Sequence, residues 1–228
     1  MNAGISDKKE LLRERVLEQV RRDITLGDLE PDGRLTERDL CERHSISRTV
    51  AREVIRQLDA EGLGRFIPHQ GLRVTRMSRD LVEDIYEIRL LIELRIIERF
   101  TEVATPDELA HLRYLFDRLS LLSDSEDYEE LAARSFALLD YMVKVTGKQT
   151  AGEVLHSLSA RIKILRVLSM RVPGQVPSGI AQLERLITAI GNRDKKAAAK
   201  ELRAYMAQAV DSVLGQVERL DPKAKGAT

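Results

Sequence analysis

Between Thr36 and Thr75, two short stretches of helical periodicity, parted by a tight polar turn, run straight into a pair of β-prone segments. That order within so little chain spells a winged helix-turn-helix. In the second stretch, Ser47 to Leu58, the residues Val50, Val54 and Leu58 recur every fourth position and mark a stripe to be buried. Arg48, Arg52 and Arg56 mark the opposite stripe. Three guanidinium groups one turn apart, on a helix narrow enough for the major groove of DNA, can bond guanine edges and phosphates from one side. Charge at this spacing is commonly a solvated helix face, but a hairpin directly after the helix favours DNA reading. Arg56 lies furthest from the helix N-terminus, where base contacts concentrate; Ser47 at that terminus is a candidate DNA contact, and Thr49 can serve a thymine methyl, a phosphate or a helix cap.

The surrounding residues fit the same plan. From Lys8 to about Leu26, the residues Leu12, Val16, Val20 and Ile24 mark one helix face, and Gly27 follows where a left-handed cap is wanted. Residues 1–7 lack apolar periodicity and read as a loose tail. Asp28 to Gly33 is a turn-rich connector, after which Thr36 is placed to cap a helix over Glu37 to His44. Ser45 to Ser47 makes the turn. Strands are predicted at Arg65 to Ile67 and Leu72 to Thr75, around a wing tip of Pro68, His69, Gln70 and Gly71. The single cysteine, Cys41, excludes an intramolecular disulfide and is expected in the core.

Past Ser78 only long helical patterns remain. Leu81, Ile85, Ile88, Ile92 and Ile96 mark a helix over Ser78 to Thr101, and Thr105, Pro106 and Glu108 supply the cap, first-turn proline and capping-box glutamate of the next, which runs to about Leu122. A third is predicted from near Ser125 to Thr146, stopping at Gly147, and a fourth from Thr150 with Glu153 completing a capping box. Arg171 to Ser178 interrupts the chain, and helices near Gly179 to Ile190 and Asp194 to Leu220 end before Pro222. The expected fold is mainly α, with residues 1–77 as a winged helix-turn-helix DNA-binding domain. Residues 78–228 are expected to form an antiparallel bundle of about six helices for effector binding and dimerisation. Scarce aromatics and the absence of Trp agree with aliphatic helix packing.

Lys plus Arg and Asp plus Glu each number 37, so no global positive field exists and any DNA affinity must be local. No phosphate loop, nucleophile elbow, HExxH or paired cysteine is present, so an enzyme is not expected. Neither an apolar leader nor a run of roughly 20 apolar residues occurs, and the expected location is the cytoplasm.

Four runs carry a resemblance to a known family: Leu35 to Leu40, Ser47 to Val54, Leu58 to Leu63, and Gly71 to Val74. They resemble the GntR family of bacterial transcription regulators. Asp84 to Arg89 with Glu93, followed by helices alone, is similar to its FadR subgroup, whose C-terminal domain is of the FCD type. The resemblance implies a homodimer on a short palindromic DNA operator, answering to a small metabolite and more often repressing than activating. It implies that Arg38, Arg48 and Arg52 contact DNA and that His69 to Gly71 form the wing tip that enters the minor groove. Many FCD domains hold a metal through an Asp and three His. The matching positions here are Ser135, Leu139, Leu183 and Tyr205, and only His111 and His156 follow the wing, so no metal and no cofactor are expected. Arg89, Arg161 and Arg166 are then the candidates for holding a carboxylate or acyl effector. The alternatives are that Arg89 only pairs with Glu93, and that Leu139 and Leu183 fill the cavity and leave a ligand-free dimer scaffold.

Overall fold

The computed structural model describes the backbone of residues 3–220, and the expected stop at Pro222 and the start of the tail at residues 1–2 lie outside it. The chain divides between Met77 and Ser78 into two compact units.

In the first unit, helix α1 (Ala3–Leu26) begins five residues before the predicted start. Its buried stripe is Val16, Leu17 and Val20, whereas Leu12 is 38% exposed and Ile24 only half-buried. The stripe is shorter than the periodicity suggests. Arg21 fastens α1 through its Nε to Glu61 Oε2 at 2.9 Å. A two-residue strand β1 (Arg34–Leu35) precedes α2 (Glu37–His44) and α3 (Arg48–Ala60), and the wing is β2 (Gly64–Ile67) with β3 (Gly71–Val74).

Thr36 caps α2 in a full capping box. Its backbone N–H donates to Asp39 Oδ2 at 2.8 Å, and the Asp39 N–H donates back to Thr36 Oγ1 at 3.2 Å. Leu40, fully buried, holds the core position of α2, and Cys41 beside it is only half-buried, contrary to expectation. Ser45, at φ 52°, ends α2, and Ser47 caps α3 by accepting from the Val50 N–H at 3.4 Å. Helix α3 buries Val50, Ala51, Val54, Ile55 and Leu58.

The sheet has the order β1-β3-β2, all antiparallel. Strand β1 is absent from the sequence pattern because two residues carry no periodicity. Gly71 is required where it stands. It has φ +91°, and a Cβ there would lie 2.5 Å from the Leu35 carbonyl oxygen of β1.

The second unit holds α4 (Arg79–Val103), α5 (Pro106–Ser120), α6 (Tyr128–Thr146), α7 (Gln149–Ser157), α8 (Ser159–Met170), α9 (Gln175–Gly191) and α10 (Lys195–Leu220). The predicted fourth helix is two. Its break lies at Leu158, whose N–H turns to the Leu155 carbonyl three residues back, at 3.1 Å. Helix α7 starts at Gln149, so Thr150 already lies inside it and the expected box with Glu153 does not form; Lys148 stands at the cap without a side-chain bond. Helix α9 starts four residues early at Gln175, because Gly174 at φ +77° turns the chain and Pro177 falls in the first turn, where its missing N–H costs nothing. The box of Thr105 and Glu108 on α5 and the left-handed Gly147 after α6 match the sequence signals.

Helix α10 packs on α4, α8 and α9, and α6 packs on α4, α5 and α8, leaving α4, α6, α8, α9 and α10 around one centre. The turn between α9 and α10 also caps α4. Arg193 donates to the Thr101 carbonyl at 2.9 Å and to the Ala104 carbonyl, closing the C-terminal end of that helix.

Candidate nucleic-acid interface and bundle cavity

The burial of Val50, Val54 and Leu58 fixes the roll of α3, so Arg48, Arg52 and Arg56 all face solvent, as does Thr49. Arg52 is not loose. Its Nε and Nη2 donate to the two oxygens of Glu37 on α2, at 2.9 and 3.2 Å, a fork-on-carboxylate pair that spans the turn. The hydrogen bond from Arg52, with Arg48 and Arg56 further off, holds the Glu37 carboxyl below its ordinary range. Arg38 is exposed at the start of α2, its Nε 3.7 Å from Glu42 Oε1. Ser47, among the candidate contacts, is occupied through its Oγ in capping α3.

The wing adds cations that the sequence pattern does not single out. Arg65 of β2 stands directly opposite Arg73 of β3, and Arg73 opposite Arg34 of β1, so three exposed arginines cross the sheet in one row. Like charges directly opposite destabilise a sheet unless an anion lies across them. The neighbouring row holds Leu35, Leu72 and Phe66. The signal was alternation: Arg65-Phe66 and Leu72-Arg73 flip faces at each step, but the register joining them depends on β1. Arg34 also organises the tip, donating through Nε to the Gln70 carbonyl and through Nη2 to the His69 carbonyl at 3.2 Å. His69, at φ 63°, and Gln70 are both exposed, in a turn closed by the Gln70 N–H on the Ile67 carbonyl at 3.0 Å.

In the second unit, two adjoining compartments of about 40 Å³ each lie among α4, α6, α8, α9 and α10. Ser135, Arg166, Leu183 and Tyr205 line both; Arg89 faces one, and Glu93 and Leu139 the other. Arg161 lines neither. It is five residues from Arg166 on α8, about 140° around the helix, and drops out of the candidate set. Arg89 is 2% exposed and donates from Nε to Glu93 Oε1 at 3.1 Å, with the Tyr86 ring 4.8 Å from its guanidinium carbon. Burial opposes that charge, but Glu93 and the nearby phenols of Tyr86 and Tyr205 outweigh it and raise the Arg89 pKa. Arg166 is 7% exposed and lies 4.6 Å from the centre of the Phe136 ring. Arg89 Nη2 and Arg166 Nη1 are buried without a hydrogen-bond partner. Tyr86 and Ser169, also at the cavity, carried no distinguishing signal in the sequence.

The four positions matching the usual metal ligands thus do converge on one cavity, but with a hydroxyl, two isobutyl groups and a phenol. Arg166 and Glu93 share that space, Arg89 lines the adjoining compartment, and both histidines that follow the wing are exposed. These residues do not fit a divalent cation.

A winged helix-turn-helix joined in one chain to a helical bundle with a charged cavity defines the class. Residues 12–74 match the bacterial regulatory proteins of the gntR family, and residues 84–208, more than half of the chain, match the FCD domain. The chain belongs to the GntR family of transcription regulators, with an FCD domain as its C-terminal part, and is not an enzyme. It is 21% identical over 188 residues to the HTH-type transcriptional regulator YdhC of Bacillus subtilis, covering 82% of this chain and 84% of that one. Against the gluconate operon transcriptional repressor of Bacillus licheniformis it is 24% identical over 213 residues, covering 90% and 85%. The solved structure of McbR/YncC from E. coli superposes with a TM-score of 0.72 at 22% identity, over 90% of this chain and 98% of that one. Among the described residues, no helix is long and apolar enough to cross a membrane.

Proposed function

We propose that this chain is a cytoplasmic, effector-controlled transcription regulator of the FadR subgroup, a homodimer that sets two copies of α3 in successive major grooves of a palindromic operator. The observation that carries it is the solvent-facing row Arg48, Arg52 and Arg56 on a capped helix beside an arginine-crossed wing. Arg52 and Arg48, nearest the helix start, read base edges. Arg38, Arg56 and the wing row Arg34, Arg65 and Arg73 take phosphates, with Thr49 beside them and His69 to Gly71 at the minor groove. Repression is favoured by relatives named as operon repressors. The effector enters the bundle cavity, whose small volume favours a compact carboxylate over an acyl chain.

Operator selection with the purified chain, followed by titration of Arg52→Ala, tests the DNA assignment. The substitution is expected to weaken operator binding by about 1 to 3 kcal/mol and relax preference at one base pair. Unchanged affinity removes Arg52 from the interface. A ligand-free dimer scaffold is the second reading, favoured by the narrowness left between Leu139 and Leu183. The buried guanidinium nitrogens without partners weigh against it.

A further inference from the structure

We propose that the bundle cavity takes a small carboxylate directly onto Arg89 and Arg166, with no metal ion between anion and protein. This rests on the cavity being the effector site and names what that site holds.

Charge comes first. Of the ionic side chains lining the two compartments, two are arginines and one is Glu93, so the cavity carries one positive charge too many. Glu93 takes the Nε of Arg89, leaving Arg89 Nη2 and Arg166 Nη1 with no acceptor although both side chains are more than nine-tenths buried. A buried cation with unused donors is costly to the folded chain, and its complement is a carboxylate, which offers two acceptor oxygens and one negative charge. Both deficits are met by one group.

The same charge argues against the cation that FCD domains commonly employ. A divalent ion at this point would find Ser135, Leu139, Leu183 and Tyr205 where its ligands belong, the guanidinium of Arg166 beside them, and the one carboxylate, Glu93, already engaged by Arg89. The arginines therefore supply in fixed form the positive charge that the metal supplies elsewhere. Burial with the phenols of Tyr86 and Tyr205 close by keeps that charge in a low-dielectric pocket, where it acts strongly.

Lining sets the rest of the ligand. The Arg89 compartment carries the hydroxyls of Ser135 and Ser169, and Ser135 already donates to the Leu131 carbonyl at 2.8 Å, so it faces a guest as an acceptor. The adjoining compartment is closed by Leu138, Leu139, Met142 and Ile187. Each compartment holds roughly two or three water volumes. That matches an acid with a short aliphatic body, its carboxylate between the arginines and its body against the leucines.

The test uses the full chain, melted and titrated calorimetrically with butyrate and hexanoate at up to about 10 mM, beside the matched amides, with and without EDTA. At least one acid is expected to raise the melting temperature, its amide to leave it unchanged, and EDTA to make no difference. Arg166→Gln is expected to weaken the acid by about tenfold or more. If that variant does not fold, the acid and amide comparison on the native chain carries the test alone. Equal stabilisation by an amide, stabilisation that EDTA abolishes and zinc restores, or no response to any of the acids each overturns the proposal. Operator release by a neutral compound while the acids stay silent overturns it and leaves the regulator assignment standing. Failure to select any operator overturns that assignment, while the melts still report on the cavity.

Discussion

Arg52 pairs with Glu37 in the free chain and, in the proposed complex, meets a base edge instead. The pair is solvent-exposed and contributes little to stability, so its consequence lies in orientation. Glu37 holds the fork in one geometry and also repels phosphates. Glu37→Gln is therefore expected to raise affinity for random duplex while lowering the ratio of operator to random binding, measured by competition titration. A unchanged ratio would show that Glu37 does not orient Arg52. Gly71 illustrates what a residue type conceals. Its place at the wing tip is legible from the turn residues around it, but the reason no Cβ fits is the carbonyl of Leu35, on a strand too short to leave a pattern. Gly71→Ala is expected to cost on the order of 1 to 3 kcal/mol, seen as a lower midpoint in circular dichroism melts of the first unit.

At the scale of elements, the start of α2 couples stability to pH. Hydrogen bonds from Thr36 hold the Asp39 carboxyl below its ordinary range. Since the folded pKa lies below the unfolded one, the box contributes fully above the unfolded value of about 3.9 and fades as pH falls through the lowered one. Asp39→Asn is expected to flatten that acid limb of the stability profile, and Thr36→Ala to cost about 1 kcal/mol at neutral pH. In the wing, the row of Arg34, Arg73 and Arg65 sets like charges against one another, a repulsion that the proposed phosphate contacts would relieve. Arg73→Ala is expected to leave the free fold as stable or slightly more so, while reducing the salt slope of operator binding by about one. A fall in stability with an unchanged slope would make the row structural. The elements were legible where a cap, a proline or a glycine coincides with a change of periodicity, as at Thr36, Pro106 and Gly147. They were not where continuity hides a break, as at Leu158, or where helix runs through a proline in its first turn, as at Pro177.

Over the whole molecule the charges cancel, so the proposed affinities for DNA and for an anion rest on placement. Periodicity alone could place the arginines of α3, because one helix decides which side is buried. It could not decide between Arg161 and Arg166, because which flank of α8 meets the cavity depends on contacts with helices from distant parts of the chain. Binding of a carboxylate is expected to raise the unfolding midpoint of the second unit, since stabilisation by a ligand accrues to the state that holds it.

The five tyrosines, Tyr86 to Tyr205, all belong to the unit that begins at Ser78, and the chain has no tryptophan. Tyrosine emission therefore comes from the bundle alone, and the reading head contributes none of it. Tyr86 and Tyr205 line the cavity itself, so occupancy can be followed by phenol quenching, without any label, even while the protein sits on its operator.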